Sequence, residues 1–132
     1  MAAVIPFFSP RRRLHRRVPL DVAVALVHES GTVGSGLGRN ISVSGVQVQC
    51  HQLTVDSLYR SDLVIGEESS LVHLHFMLPT FSFDAKVDAV CKPIYRHDSG
   101  DGTYLLGLEF DYLPEPSRLQ VQRYVQSLTD EV

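Results

Sequence analysis

Five of the ten arginines fall within seven consecutive positions, at Arg11, Arg12, Arg13, Arg16 and Arg17. A guanidinium group presents a planar fork of donors that binds phosphate or carboxylate oxygen atoms, and it also stacks on flat rings. The rest of the chain lacks this bias, because residues 21–132 hold all 15 acidic residues but 7 of the 12 basic ones. The cluster is therefore either a local functional segment or a solvated basic arm. It is not the basic stripe across a domain that a general nucleic-acid binder has.

A second polar stretch, "RNISVSGVQV", covers residues 39–48. Asn40, Ser42 and Gly45 stand in the spacing Asn-x-Ser-x-x-Gly, just before apolar alternation begins at Val46. Asn and Ser side chains form tight local turns, and Gly permits a positive φ or the close approach of a ligand. Two interpretations are open at this point: an Asx or Ser turn with a glycine bulge, or part of a binding site.

Period-two alternation of apolar and polar residues covers most of the chain and predicts antiparallel strands with one buried face. Strands are expected from Leu20 onward, weakly in "HESGTVGSGLG", and then in "GVQVQC", "LVHLHFML", "FSFDAKVDAVC" and "YLLGLEF". "RHDSGDGT" is predicted to be a hairpin loop, and residues 51–69 are expected to hold a loop and a short irregular strand. About six such strands favour a closed β-barrel over an open sheet with bare edges.

The last segment, "SRLQVQRYVQSL", changes to a helical period. Val121, Tyr124, Val125 and Leu128 recur at the spacing of one helix face, which predicts an amphipathic helix over about residues 115–128. A proline, Pro114 or Pro116, suits its first turn. We expect this helix to cap or plug the barrel.

Composition and motifs argue against an enzyme. The 132 residues are 44% hydrophobic and 20% charged, typical of one soluble domain with a real core. The chain has no nucleophile elbow, no glycine-rich phosphate loop before a helix and no HExxH motif. His73 and His75 share a strand face that can chelate a metal, yet no third ligand follows at a recognisable spacing, so no metal or cofactor is expected.

Cys50 and Cys91 make no CxxC pair, and although one disulfide is possible, free thiols are the better expectation. In "MAAVIPFFSPRRR" the charge follows the apolar residues, which is the reverse of a signal peptide. The sequence contains no apolar run of the roughly 18 residues that span a bilayer. We therefore expect a cytoplasmic protein without membrane insertion.

The two polar stretches together resemble the PilZ domain family. An arginine pair at a spacing of four, followed by Val-Pro-Leu, precedes an Asn-x-Ser-x-x-Gly motif by some twenty residues; the motif residues are Arg13, Arg17, Asn40, Ser42 and Gly45. This resemblance implies an all-β fold, a six-stranded antiparallel β-barrel with a C-terminal α-helix. It also implies binding of the bacterial second messenger cyclic di-GMP.

The end of the chain is similar to the same family. Gly107-x-x-Phe110-x-x-Leu113 and the following "LQVQRYV" look like its closing strand and C-terminal helix. The resemblance therefore runs from about Arg11 to Leu128. It implies a single domain over residues 11–128 with a basic arm at 11–19, an N-terminal tail at 1–10 and a short tail at 129–132.

The resemblance also implies a role for each motif residue. Arg13 and Arg17 would contact guanine and phosphate, because guanidinium groups bind phosphate oxygens and the O6 and N7 acceptors of guanine. Asn40, Ser42 and Gly45 would form the barrel half of the site, with Gly45 leaving room for the ligand. The family often has Asp at the first of these positions, and Asn is able to donate as well as accept.

The register of the arginine pair has an alternative, since Arg12 and Arg16 are also four apart. Arg13 and Arg17 are preferred because the second arginine of the family directly precedes the apolar residue that opens the first strand, here Val18. Arg12 would then be free to stack on a second, intercalated nucleotide.

Three functions compete at this level. The first is a receptor, monomeric or dimeric, whose basic arm orders on binding cyclic di-GMP and relays the signal to an unidentified protein effector. The second is a PilZ-type adaptor for pilus or flagellar machinery with weak or no nucleotide binding. The third is a nucleic-acid-binding barrel, which the acidic body and the absence of Trp argue against. The intact motifs favour the first.

Overall fold

The structure, a computed structural model, describes residues 16–29, 31–58, 71–80 and 84–129. Its strands and helices, in chain order, are β1 (Val18–His28), β2 (Val33–Ile41), β3 (Gly45–His51), α1 (Gln52–Leu58), β4 (Val72–Pro79), β5 (Asp84–Asp98), β6 (Thr103–Tyr112) and α2 (Glu115–Thr129). Every pair of neighbouring strands is antiparallel, in the order β1-β2-β3-β6-β5-β4, and β4 pairs with β1 to close a barrel. The predicted six-stranded antiparallel barrel with a C-terminal helix is confirmed.

The barrel interior is filled by the apolar residues of the alternating strands. In β4, Val72, Leu74, Phe76 and Leu78 are buried, and the residues between them are exposed. The predicted inner face of β5 is also buried at Ala85, Val87, Ala89 and Cys91. Because burial removes apolar surface from water, this single packed interior is the main source of stability.

A helix packs at each end of the barrel. Helix α1 follows the end of β3 and contacts β2, β3 and β6, with Val55 and Leu58 buried. Helix α2 packs on β1, β4 and β5, with Val121 and Val125 buried in the core cluster. The expectation that the last segment is an amphipathic helix packed on the barrel is therefore correct.

The prediction for residues 51–69 is wrong in its first part. His51 ends β3, and the next seven residues form α1 instead of a loop or a strand. The Nδ1 atom of His51 accepts a hydrogen bond from the backbone N–H of Leu53 at 3.1 Å and so caps the helix start. Histidine is not among the preferred N-cap residues, so the sequence gives no visible start signal. Residues 59–70 lie outside the described part.

Two boundaries and one side chain also differ from expectation. Strand β1 begins at Val18, two residues before Leu20, and β5 continues past Cys91 to Asp98. Leu128 was predicted on the buried face of the last helix, yet it is 41% exposed, one residue before the helix ends at Thr129. The predicted loop between β5 and β6 is present, with positive φ at Gly100 and Gly102.

Candidate functional site

The two polar stretches of the sequence meet at one edge of the barrel. Arg17 is exposed and directly precedes Val18, which is buried and fixes the start of β1. Asn40 lies near the end of β2, where it pairs with Pro19 across the two strands. The Nη1 atom of Arg17 donates a hydrogen bond to Oδ1 of Asn40 at 3.3 Å. Residues that are 23 positions apart in the chain therefore form one polar edge.

A β-bulge turns Asn40 toward the outer face of the barrel. The pairing of β2 with β3 shifts between Gly38 and Asn40, so Arg39 is an extra residue on β2. Gly38 and Ile41 face the interior, while Arg39 is exposed and Asn40 is half-buried on the outside. A bulge of this kind re-aims a side chain, and here it places Asn40 beside Gln47 of β3.

Asn40 is part of a continuous set of side chains that we call the polar row: Arg17, Asn40, Gln47 and Tyr95. The Nδ2 atom of Asn40 donates to Oε1 of Gln47, and Nε2 of Gln47 donates to the hydroxyl oxygen of Tyr95. The row follows the register of the sheet, since Asn40 pairs with Gln47 and both Gln47 and Tyr95 pair with Gly107. It crosses the outer face of the barrel from β1 to β5.

A second bulge and a glycine position Tyr95. The pairing of β5 with β6 shifts between Pro93 and Tyr95, so Ile94 is the extra residue and Tyr95 faces outward. A β-carbon on Gly107 would overlap the ring of Tyr95, because the ring occupies the space beside that glycine. The absence of a side chain at Gly107 therefore allows the ring to lie against β6.

Ser42 and Gly45 build the turn that connects β2 to β3. The hydroxyl of Ser42 is buried, accepts a hydrogen bond from the backbone N–H of Ser44 at 3.1 Å and lies 3.0 Å from the Ser44 hydroxyl. The Ser42 N–H donates to the Gly45 carbonyl at 2.8 Å. A β-carbon on Gly45 would overlap the carbonyl oxygen of Leu108, so this glycine is needed for the close approach of β6.

Helix α2 borders the same edge. The hydroxyl of Tyr124 donates to the carbonyl oxygen of Pro19 at 3.1 Å, which ties the last helix to the start of the first strand. Partial burial raises the pKa of Tyr124 above its ordinary value, so the hydroxyl remains a donor to higher pH than a free tyrosine would. A shallow groove of about 390 Å³ separates α2 from the β2–β3 turn and is lined by Arg16, Val43, Gln122, Val125, Gln126 and Thr129.

The structure therefore brings together four of the six predicted site residues: Arg17, Asn40, Ser42 and Gly45. Arg12 and Arg13 lie outside the described residues. The contacts of Gln47 and Tyr95 were not predicted from the sequence, because Gln47 follows the pattern of an ordinary solvent-facing strand residue and the bulge at Ile94 interrupts the alternation before Tyr95. Pro93 inside a strand was an available signal of that bulge.

The metal-site hypothesis at His73 and His75 gains no support. Both histidines are exposed, and Nδ1 of His75 lies 2.7 Å from an oxygen of Asp88. Within the described residues, no three His, Cys, Asp or Glu side chains are grouped closely enough to hold a metal ion.

The thiols of Cys50 and Cys91 are free and buried. In the part of the chain that the structure describes, no helix has the length and apolar character needed to cross a bilayer.

The protein is a small β-barrel domain. Its barrel is closed and antiparallel, a helix packs at each end, and a basic segment leads into the first strand. The model of the PilZ domain matches residues 11–127, and the chain belongs to the PilZ domain family. A comparison of the sequence with curated proteins gives no match.

Solved structures similar to this chain have the same fold. The inhibitor of motility (MotI/DgrA) of Bacillus subtilis has a TM-score of 0.66 and 17% identity, covering 91% of this chain and 53% of that chain. YcgR of Escherichia coli, in complex with c-di-GMP, has a TM-score of 0.62 and 14% identity, covering 91% of this chain and 47% of that one. The MrkH–c-di-GMP complex of K. pneumonia has a TM-score of 0.59 and 17% identity, covering 91% and 53%. This chain thus spans about half the length of these proteins.

Proposed function

We propose that the protein is a cyclic di-GMP receptor and that the ligand binds at the barrel edge where Arg17 meets Asn40. The observation that carries the proposal is the 3.3 Å contact between these side chains, because it joins the arginine motif to the Asn-x-Ser-x-x-Gly motif. Membership of the PilZ domain family supports it, as do the structures of YcgR and MrkH in complex with c-di-GMP.

The chemistry of the edge suits this ligand. Cyclic di-GMP carries two guanines and two anionic phosphodiesters, and Arg17 retains donors beyond the one that Asn40 accepts. Guanidinium groups bind phosphate oxygens as bidentate forks and bind guanine through O6 and N7. We assign Arg17 and Arg13 to these contacts, and Arg12 to stacking on a second nucleotide when two bind.

Ser42 and Gly45 contribute to the proposed site through the turn that they build. The Ser42 hydroxyl is already committed to Ser44, and Gly45 lies against β6, so the turn presents its backbone and Val43 to the ligand. This differs from the sequence-based expectation that Gly45 simply leaves room for the ligand. Asn40 then remains the polar side chain of the motif that faces Arg17.

We further propose that ligand binding changes the conformation of the part of the 11–19 arm that precedes Arg17, since Val18 and Pro19 already belong to β1, and that a protein effector recognises the result. The groove beside α2 supports this idea, because Arg16 and Val43 line it together with Gln122 and Gln126. A ligand held by Arg17 would therefore alter a surface that includes the last helix. The receptor acts in the cytoplasm and performs no catalysis in this proposal.

Calorimetric titration with cyclic di-GMP tests the site. We expect the wild type to bind and Arg17→Ala or Asn40→Ala to weaken binding about tenfold or more, the scale of a lost charge-assisted hydrogen bond. Arg118→Ala is the matched control, because it removes one exposed arginine on α2 that pairs with Glu115. An equal loss in the control would show that only overall charge matters, and a wild type that does not bind would overturn the proposal in favour of a protein-only adaptor.

Stoichiometry and salt dependence refine the same experiment. Two nucleotides per chain, reduced to one in Arg12→Ala, would support stacking by Arg12, and one per chain in the wild type would remove that role. A polyanion-binding arm loses affinity steeply as salt rises, with a slope set by the number of phosphates neutralised. We expect a shallow slope for cyclic di-GMP, because the ligand carries only two charges.

A further inference from the structure

The donors of the polar row all point in one direction. A guanidinium group has donors and no acceptor, so the atom of Asn40 that faces Arg17 must be Oδ1. The Nδ2 atom of Asn40 then faces Gln47, which accepts through Oε1 and presents its own Nε2 to the hydroxyl oxygen of Tyr95. The direction of the row is therefore set at its Arg17 end: Arg17 orients the Asn40 carboxamide, and Asn40 in turn orients Gln47.

The far end of the row is anchored by backbone geometry. The bulge at Ile94 turns Tyr95 outward, and the missing side chain of Gly107 leaves the space in which its ring packs. Tyr95, Gln47 and Asn40 are half-buried, so water competes less for these hydrogen bonds than at an open surface. The Tyr95 hydroxyl is consequently held at a fixed position, where it accepts the hydrogen bond from Nε2 of Gln47.

We propose that Gln47 and Tyr95 are positioning residues, which hold the Asn40 carboxamide in place beside Arg17 before any ligand binds. Arg17 is then held at the barrel edge in the free protein, and the ligand meets an arranged guanidinium. Preorganisation of this kind raises affinity by reducing the ordering cost of binding. The effect on cyclic di-GMP rests on the proposed function, whereas the orientation of Asn40 is a property of the free protein.

The first test uses the ligand-free protein. The side-chain amide signals of Asn40 in a ¹H–¹⁵N spectrum are assigned by their loss in Asn40→Ala. We expect these signals to shift in Tyr95→Phe and in Gln47→Leu, because each variant removes a hydrogen-bonding group of the row. Tyr112→Phe is the control, since Tyr112 is an exposed tyrosine on β6. Unchanged Asn40 signals in Tyr95→Phe would overturn the proposal.

The second test measures affinity. We expect Tyr95→Phe and Gln47→Leu each to weaken cyclic di-GMP binding about five- to tenfold, the size of one net hydrogen bond. The double variant should bind no more weakly than Gln47→Leu alone, because both substitutions break the same row. A positioning role would be contradicted if the double variant lost affinity by the product of the two single losses. It would also be contradicted if Tyr95→Phe and Gln47→Leu bound as tightly as the control Tyr112→Phe.

These two tests separate the proposals. Tyr95→Phe keeps the ring against Gly107, so the fold is retained and the denaturation midpoint should fall only by the cost of one part-buried hydrogen bond. A wild type that fails to bind cyclic di-GMP overturns the proposed function, and the Asn40 signals then still decide whether Gln47 and Tyr95 orient that side chain.

Discussion

The ring of Tyr95 on β5 lies against Gly107 on β6, in the space that a β-carbon at position 107 would need. The two residues are also register partners in the sheet. An aromatic ring packed over a cross-strand glycine fills a gap in the sheet surface, and here it also fixes the end of the polar row.

Gly107→Ala should therefore displace Tyr95. We expect a loss of about 1–3 kcal/mol in the free energy of unfolding, the usual cost of overpacking, measured by urea denaturation. The same substitution made in a Tyr95→Ala background should cost much less, because the overlapping ring is gone. A cost that is equal in both backgrounds would show that the ring is not what the new methyl group meets.

Gly45→Ala separates a structural role from a ligand role. The added methyl group would meet the carbonyl oxygen of Leu108, which is backbone and cannot rotate away. We expect a loss of about 1–3 kcal/mol in the free energy of unfolding, measured without ligand. A variant of wild-type stability that loses only cyclic di-GMP binding would instead favour the original idea that Gly45 leaves room for the ligand.

Ser117→Ala should loosen the contact of α2 with the barrel. Strand β6 ends at Tyr112, opposite Val90, so the backbone N–H of Asp88 has no β6 partner and donates to the Ser117 hydroxyl at 2.9 Å. Ser117 is 5% exposed, and removal of its oxygen leaves a covered N–H unsatisfied. Denaturation should show a loss of about 1–3 kcal/mol.

The control for that experiment is Ser127→Ala. Ser127 lies on the same helix but is exposed and donates to the carbonyl oxygen of Tyr124, so its loss should change stability little. Equal effects in the two serine variants would indicate a change in helix propensity and not the loss of a contact with Asp88.

Buried thiols predict a decline of stability in alkali. Burial raises the pKa of Cys50 from 9.0 to about 11, and the pKa of Cys91 is raised as well. The unfolded chain therefore loses these protons at lower pH than the folded one. The contribution of the buried Cys50 thiol to the free energy of unfolding is fully present below pH 9 and is lost as the pH rises from 9 to about 11.

Urea denaturation from pH 7 to 11 measures this decline. The slope contributed by one thiol approaches but does not exceed about 1.4 kcal/mol per pH unit. Cys50→Ala should show a flatter alkaline decline than the wild type, whatever its absolute stability. Parallel curves for the two proteins would rule out Cys50 as a source of the decline.

The strands of this chain could be predicted from the alternation of apolar and polar residues, because one face of each strand fills the closed interior of the barrel. Leu74 and Val87 lie where simple alternation places them, and the period change near Val121 correctly marks the last helix. Helix α1 was missed because seven residues with two buried side chains do not display a helical period.

Only part of the candidate site could be predicted from the sequence, and the reason is geometric. Arg17 and Asn40 belong to recognisable motifs, but the contacts of Asn40 with Gln47 and of Gln47 with Tyr95 depend on two bulges, at Arg39 and Ile94. Each bulge adds one residue and breaks the alternation at the place where the side chains must turn outward. The motif Ser42-x-x-Gly45 was recognisable, yet its atoms are largely used within its own turn.

The hydrogen bond from Tyr124 to the Pro19 carbonyl joins residues that are 105 positions apart. Contacts between distant parts of a chain form late, because a long loop must close before they stabilise anything. During synthesis, Arg17 and Asn40 leave the ribosome long before the helix that fastens the start of β1. We therefore expect a nascent chain lacking α2 to hold the start of β1 less firmly, so that the barrel edge at Arg17 and Asn40 becomes fully ordered only after α2 has been synthesised.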